Sequence, residues 1–402
     1  MQVEQAAAAH EGALRKLASP RRWLVLAAFA LVAGVTQMLW LNFAPLLGLV
    51  QQRFGVSELA ASSLVLVFPL VYVLLSIPAG MLIDARGYRY AVAVGAIGSA
   101  AFAALRIWDT SFVVLLVAQL GISIAQPFVV NGIGKLVADW FDESESAIAN
   151  GLGTMGMFLG MAVGMAATPA LVEAIGLRST MAVFFVVAAL AAAVFVGLGK
   201  ERTPNVAAET GGFVVLLRRP KMLAFFVIAL LGLGAFNGLT TWLEQLLAPH
   251  GIDAATAGLV GGLLIAGGLV GAVVIPLWSD RVRRRKPFLI VCALVAAVCT
   301  VPLCESGNVH LLYGLALALG FFFMPAFALL LDMSMSEAGL AHAGAATSLV
   351  MLFGNAGAVL VIVAIPLLKE RTGSHTAGIW MLAGLLVLAA AIGAPVRESR
   401  RT

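Results

Sequence analysis

The stretch GMLIDARGYR at residues 80–89 decides the fold, because a related stretch, PLWSDRVRRRK, occupies residues 276–286. In each stretch an aspartate, Asp84 or Asp280, ends a long apolar run and is followed by arginines. The two aspartates lie 196 residues apart, about half of the 402-residue chain. A repeat at half the chain length, in a chain of apolar runs, predicts two related bundles of membrane helices that rock around a central site.

The composition is that of a membrane protein. Apolar residues make up 61% of the chain, charged residues only 11%, and the mean hydropathy is +1.02. A soluble domain carries roughly a quarter charged residues, whereas a membrane span needs about 20 apolar ones. We predict an all-α polytopic membrane protein with twelve transmembrane helices in two pseudo-symmetric six-helix bundles. The predicted spans, numbered 1 to 12, are approximately 23–50, 57–83, 88–107, 111–135, 146–172, 178–199, 221–248, 255–279, 287–304, 309–333, 341–368 and 374–396.

The longest polar stretch between spans divides the chain near residues 200–220, and it is too short to form a domain. The predicted segments are an N-terminal segment (1–20), an N-terminal bundle (21–199), a linker (200–220), a C-terminal bundle (221–396) and a tail (397–402).

The placement of basic residues predicts the orientation. With both termini on one side, 20 of the 25 Lys and Arg residues lie on that side. The positive-inside rule makes it the cytoplasmic side. No A-x-A-type cleavage site precedes span 1, so we expect a multi-pass protein of the cytoplasmic membrane with both termini inside. The net charge of +5 is then an orientation signal, and no nucleic-acid partner is expected.

The two acidic turns also suggest a mechanical role. A carboxylate at the end of a helix pairs with a nearby arginine or with the N-terminus of a neighbouring helix, and this holds the two halves together on the cytoplasmic side. The alternative is that these are ordinary basic loops. The predicted conformational latch consists of Gly80, Asp84, Arg86, Gly87, Arg89, Asp280 and Arg284.

These turns resemble the loop signature of the major facilitator superfamily, which lies between helices 2 and 3 and again between helices 8 and 9. The second copy has Pro276 where the first glycine of the signature stands. The resemblance implies that spans 2, 5, 8 and 11 form the interface between the halves and that spans 1, 4, 7 and 10 line a cavity. Span 5 carries Gly156, Gly160 and Gly164 on one face, a spacing that allows close helix contact. This glycine spacing is compatible with span 5 sliding against a neighbouring helix and also with static packing.

Two carboxylates lie well inside predicted spans, away from the outermost residues, whereas no Lys, Arg or His does. Glu244 lies in span 7 and Asp332 in span 10. Embedded carboxylates without an embedded cation favour a cationic or zwitterionic substrate, or a proton-coupling role for the acids. The alternative is that both residues lie near helix ends and face loops or water.

Uncharged polar and aromatic residues cluster in the spans that the resemblance assigns to the cavity. Gln37 and Trp40 share one face of span 1. A lone polar residue in a membrane helix more often makes a helix–helix contact, but the set as a whole predicts a cavity lining. The predicted substrate-binding residues are Gln37, Trp40, Gln126, Asn131, Phe236, Asn237, Thr241 and Asn355.

A finer resemblance rests on WLNF at 40–43, FGV at 54–56, GISIAQPF at 121–128, WF at 140–141 and GAF at 234–236. These segments resemble the feline leukaemia virus subgroup C receptor family, which includes haem exporters and choline transporters. The resemblance implies that Trp40 and Gln126 contact choline. Asn237 and Asn355 stand where the family has a tyrosine and a glutamine.

The sequence therefore predicts a secondary transporter that moves a small organic solute, a choline-like cation or zwitterion, by alternating access. The alternatives are a carrier of a small organic anion, bound by Gln126, Asn131 and Asn355, or of a haem-like amphiphile. No nucleophile–base pair or phosphate loop indicates an enzyme. Cys292, Cys299 and Cys304 lack ligand-spaced histidines, so no metal site or cofactor is expected. The expected partners are the substrate and the lipid bilayer, with the protein as a monomer.

Overall fold

The structure is a computed structural model that describes residues 21–141, 143–201, 212–338 and 343–396, and within these ranges it is helical with no strand. The predicted segments 1–20 and 397–402 and most of the linker lie outside the described residues, as do the side chains of Asp84 and Asp280. The helices are Arg21–Leu41, Leu47–Phe54, Glu58–Arg86, Tyr88–Leu105, Phe112–Val130, Gly132–Trp140, Glu143–Leu198, Gly212–Leu217, Pro220–Leu247, Ala254–Val282, Lys286–Glu305, Val309–Ala338, Ala343–Thr372 and Thr376–Gly393.

Eleven of the described helical segments are long and apolar enough to cross a membrane. One of them, Glu143–Leu198, is broken at Gly176, whose φ of 79° and ψ of 163° are not helical. This φ lies where a side chain is rarely tolerated, so glycine permits the break. The 56 residues of this segment therefore cross twice, as spans 5 and 6, and the fold-class prediction of twelve helices is confirmed.

Successive spans run in alternating directions and define two sides. We call the side that carries most of the Lys and Arg residues the basic side, and the other the opposite side. On the basic side, Arg22 pairs with Glu145 at 2.7 Å and Lys221 pairs with Glu337 at 3.2 Å. On the opposite side, Arg53 pairs with Asp109 at 2.5 Å. The basic side carries the ends of spans 2, 4, 6, 8 and 10 and is the side that the charge bias predicts to be cytoplasmic.

Span 1 is less regular than its apolar pattern predicts. The α-helix ends at Leu41, a 3-10 turn follows at Ala44–Leu46, and the short helix Leu47–Phe54 completes the crossing. Pro45 lies in this turn and has no N–H to donate, which favours the break. The turn packs against spans 7 and 8 of the other half, so the break lies at the contact between the halves.

Span 5 turns its glycine face toward span 1, inside its own half. A Cβ on Gly160 would meet the backbone of Gly34, and one on Gly164 would lie 2.8 Å from the carbonyl oxygen of Met38. These glycines therefore permit close packing within the N-terminal half. Of the two alternatives for this glycine face, sliding or static packing, this arrangement corresponds to static packing.

The halves meet through spans 5 and 8 and through spans 2 and 11. In the first pair, Gly258 packs on Met165 and Pro169, and a Cβ on Gly262 would lie 2.8 Å from Cβ of Ala166. These residues belong to the ends of spans 5 and 8 nearest the opposite side. The structure is therefore closed on the opposite side.

Candidate functional site

Trp40 presents a fixed, partly exposed ring near the end of the regular part of span 1. Its indole N–H donates to the carbonyl oxygen of Val65 at 3.1 Å, and its ring stacks on Phe68 at 5.9 Å between centroids. Gln37, one turn earlier, is buried, and its Oε1 has no hydrogen-bond partner among the described residues. The two residues together offer an aromatic face and an unused oxygen acceptor.

Span 4 contributes Gln126 and Asn131, and the structure gives them different surroundings. Gln126 is buried immediately before Pro127. The Asn131 oxygen accepts from the Tyr72 hydroxyl at 2.7 Å, and its Nδ2 donates to the Ser76 carbonyl oxygen at 3.1 Å. Asn131 therefore attaches span 4 to span 2 and has no free N–H for a ligand.

Spans 7 and 11 contribute the residues expected from the C-terminal half. Phe236 stacks on Phe323 of span 10, with 5.0 Å between ring centroids. The amide Nδ2 of Asn237 donates to the Leu233 carbonyl oxygen at 2.9 Å, and that of Asn355 donates to Met351 at the same distance. One of the two N–H groups of each amide is thus used by the preceding helical turn, while the amide oxygen points away from that bond. In the same span as Phe236, Thr241 is fully buried, and its hydroxyl has no partner in the described part of the chain.

Two further aromatic rings, those of Phe43 in span 1 and Trp242 in span 7, are not available to a ligand. Phe43 is fully buried, and the Arg106 guanidinium lies over its ring at 4.9 Å. Trp242 is also fully buried, and its N–H donates to the Ile362 carbonyl oxygen at 3.0 Å. Arg106 itself directly follows the helix Tyr88–Leu105, and none of its three guanidinium nitrogens is accessible or hydrogen-bonded within the described ranges.

The structure separates the two carboxylates that the sequence grouped together. Asp332 forms an ion pair with Arg285 near the basic-side end of span 10, because this helix continues to Ala338. The expectation that it lies deep in the membrane is therefore corrected. Glu244 instead accepts the backbone N–H of Gly48 at 3.0 Å, in the first turn of the short helix Leu47–Phe54 of the other half.

Sequence reasoning missed a second contact between the halves on the opposite side. Glu58, in the first turn of span 2, pairs with Lys369 of span 11 at 2.7 Å, and Nε2 of His375 lies 3.5 Å from the same carboxylate. Burial, followed by the nearby charge of Lys369, lowers the pKa of His375. In the sequence, Glu58 is an ordinary acidic residue at a helix start and Lys369 an ordinary cation at a helix end. Their contact between the halves is recognised only in the structure, because they lie 311 residues apart.

On the basic side, the predicted latch is only partly described. Pairing by Asp84 and Asp280 stays a prediction, since their side chains lie outside the described residues. Gly87 has φ 83°, and the Glu201 carboxylate packs on it while accepting the Arg89 backbone N–H at 3.0 Å. Burial raises the pKa of Glu201.

The other predicted latch residues have contacts of their own. Arg86 donates to the Tyr90 hydroxyl at 2.9 Å and stacks on its ring. The Arg284 carbonyl oxygen accepts from the Ser279 hydroxyl at 3.0 Å, which tightens the second turn. A Cβ on Gly80 would meet open space. Among the described residues, no three His, Cys, Asp or Glu side chains gather as metal ligands.

The described residues form two helical bundles that meet through spans 5 and 8 and through spans 2 and 11. Residues 29–362 match the model of the Major Facilitator Superfamily, and the chain belongs to this family. The crystal structure of a bacterial homologue of the human lysosomal transporter Spinster, in an inward-facing and unoccupied conformation, has a TM-score of 0.72 at 17% identity. It covers 94% of this chain and 96% of its own. The protein is therefore a transporter and not an enzyme.

Relatives with assigned and unassigned roles align with about half to three quarters of the chain. Solute carrier family 49 member A3 of Xenopus tropicalis is 28% identical over 70% of this chain and 63% of its own length. The choline/ethanolamine transporter FLVCR2 of Homo sapiens is 25% identical over 76% of this chain and 64% of its own. An uncharacterised protein of Archaeoglobus fulgidus is 33% identical over 47% of this chain and 90% of its own. The chain thus spans slightly less than two thirds of the two named relatives and is related to the FLVCR transporters.

Proposed function

We propose that the protein is a secondary transporter of a small organic cation or zwitterion, a choline-like amine, which it moves across the cytoplasmic membrane by alternating access. The observation that carries this proposal is the use of the amide groups. Asn131 donates to the carbonyl and hydroxyl oxygens of Ser76, and Asn237 and Asn355 each donate one Nδ2 hydrogen to a backbone carbonyl oxygen. Part of the donor capacity that an anion needs is therefore used within the helices, whereas the amide oxygens of Asn237 and Asn355 are left to a cation.

The aromatic component is supplied by Trp40. A quaternary ammonium has no N–H to donate, so it is held by ring faces, each worth about 0.5–2 kcal/mol. The Trp40 ring is fixed by Val65 and Phe68, which reduces the entropy lost on binding. We assign the acceptor oxygens of Gln37 and Gln126 to the same proposed site. From the other half we assign Phe236, Asn237, Thr241 and Asn355. The names of the choline/ethanolamine relatives agree with this chemistry.

The two bundles, residues 21–199 and 221–396, are proposed to rock as units about this site. The structure, closed on the opposite side, corresponds to the state that releases or receives substrate at the basic side, which we take as cytoplasmic. The anion and haem alternatives have less support. The described histidines His250, His310 and His375 lie in turns or helix starts on the opposite side, away from the proposed site.

The test is choline binding by purified protein and choline uptake into proteoliposomes. Trp40→Ala is expected to weaken binding by roughly 5- to 30-fold, which corresponds to about 1–2 kcal/mol for a desolvated cation on a ring. Trp40→Phe keeps a ring face and should retain most of the affinity. Trp380→Ala is the matched control, because this tryptophan is 60% exposed on the outside of span 12. Wild-type affinity in Trp40→Ala, or saturable uptake of carboxylates but not of amines, would contradict the proposal.

A further inference from the structure

We propose that Glu244 is the proton-binding group of an outer gate: when ionised it ties the two halves together on the opposite side, where the Glu58–Lys369 ion pair adds a second tie, and protonation from that side opens the gate. The inference rests on alternating access in the proposed function. The gate itself, however, can be measured without any substrate, so the two proposals can fail separately.

The Glu244 contact joins span 7 of one half to span 1 of the other. Its Oε2 accepts the Gly48 N–H at 3.0 Å, and a Cβ on Gly48 would lie 2.6 Å from its Oε1. Only glycine lets the carboxylate come this close. The N–H is one of the first in a helix, where the helix dipole favours a negative charge. A protonated Glu244 loses that charge, so the attachment across the halves weakens.

The Glu58 contact joins span 2 to spans 11 and 12. Its carboxylate lies 2.7 Å from Nζ of Lys369 and 3.5 Å from Nε2 of His375, which directly precedes span 12. The pair is only partly exposed on both sides, which reduces its screening by solvent. Replacement of Glu58 by glutamine removes the attraction to Lys369 and leaves two basic groups facing each other.

The charged groups of this region act on closure in both directions. Glu244 interacts with the Gly48 N–H and with the negative charge of Glu58, and Glu58 interacts with Lys369, His375 and Glu244. Repulsion between the two carboxylates opposes closure. In the proposed gate the loss of the direct Glu244–Gly48 bond at 3.0 Å outweighs the relief of that repulsion, so a proton on Glu244 loosens the closed arrangement.

His375 adds to the same effect. In the closed state, burial and Lys369 hold its pKa below the usual value of about 6.5. In an open state that exposes His375, the pKa returns toward that value, so the open state binds the proton more readily. The contribution of His375 to the free energy that favours the closed state is thus complete above about pH 6.5, and it is lost as the pH falls through the lowered pKa.

The experiment measures the distance across the opposite side as a function of pH, with no substrate present. Fluorophores or spin labels are placed at Gln52→Cys and Arg371→Cys, which are exposed on different halves, in a background where Cys292, Cys299 and Cys304 are replaced by alanine. The wild type should move toward longer distances between pH 8 and pH 5. Glu244→Gln should shift the closed-to-open ratio by roughly 10- to 100-fold toward open at pH 8, as expected for the loss of a charge-assisted hydrogen bond.

Matched controls separate the gate from a general effect of lost charge. Glu305→Gln changes an exposed glutamate on the same side and should behave like the wild type. Asp332→Asn, on the basic side, should leave the pH response unchanged. Glu58→Gln provides a second, independent variant, and thermal unfolding shows that each variant is folded.

Two outcomes overturn the proposal. One is a wild-type distance that does not change with pH, and the other is wild-type behaviour of both Glu244→Gln and Glu58→Gln. If the gate responds to pH but choline does not bind, the gate stands and the substrate assignment falls.

Discussion

Glycine variants can distinguish a contact between the halves that opens from one that is permanently packed. The contact between spans 5 and 8 provides such a test. A Cβ on Gly258 would meet the Met165 carbonyl oxygen and lie 2.9 Å from Cγ of Pro169, both in the other half. Overpacking of this kind costs about 1–3 kcal/mol. If the halves rock as units, Gly258→Ala relieves this strain by opening the opposite side. The closed-to-open ratio should then fall by roughly 5- to 150-fold, while the midpoint of thermal unfolding changes little.

Gly160→Ala is the matched comparison. Its Cβ would meet the backbone of Gly34, which lies in the same half, so rocking cannot relieve the strain. We expect this variant to lower the unfolding temperature and to leave the closed-to-open ratio unchanged. The assay is the distance between labels at Gln52→Cys and Arg371→Cys, with calorimetry on the same samples. The reasoning is refuted if both glycine variants lower the unfolding temperature equally and Gly258→Ala leaves the distance distribution as in the wild type.

Two smaller predictions concern span 4. Gln126→Leu should weaken choline binding by about 1–3 kcal/mol, because a polar group of the bound substrate then has no hydrogen-bond partner. The measurement is isothermal titration calorimetry, and an unchanged affinity would show that Gln126 is not part of the site. Tyr72→Phe removes the hydroxyl that donates to Asn131 and should lower the free energy of unfolding by about 0.5–1.5 kcal/mol without changing the choline Kd. A large loss of affinity in Tyr72→Phe would mean that Asn131 acts on the substrate after all.

The fold could be predicted because hydrophobic length and charge bias act on each span by itself. Twelve apolar runs of sufficient length give twelve crossings, and even the division near Gly176 falls between predicted spans 5 and 6. The break in span 1 could not be predicted in this way. The apolar run continues past residues 42–46, so its length gives no sign of the break. Pro45 favours a break, and the packing of the turn against spans 7 and 8 shows where it lies.

The candidate site could be predicted only in part, because a sequence gives the depth of a residue but not its partner. Asp332 and Glu244 both lie within apolar runs, yet one pairs with Arg285 and the other with the Gly48 backbone. Asn131 was grouped with ligand-binding residues, although Tyr72 and Ser76 occupy its amide. Each of these partners lies on another span, at a sequence distance that no local pattern encodes.

The proposed site and the proposed gate share two spans, which has a thermodynamic consequence. Trp40 precedes Gly48 by eight residues on span 1, and Asn237 precedes Glu244 by seven on span 7. Seven helical residues cover about 10 Å, so Glu244 lies about two turns from Asn237 in span 7. In span 1, the turn Ala44–Leu46 connects Trp40 to Gly48. A substrate that draws Trp40 and Asn237 together changes how Gly48 meets Glu244. Since such coupling is reciprocal, protonation of the gate must change the affinity for substrate by the same factor by which substrate changes the affinity for the proton.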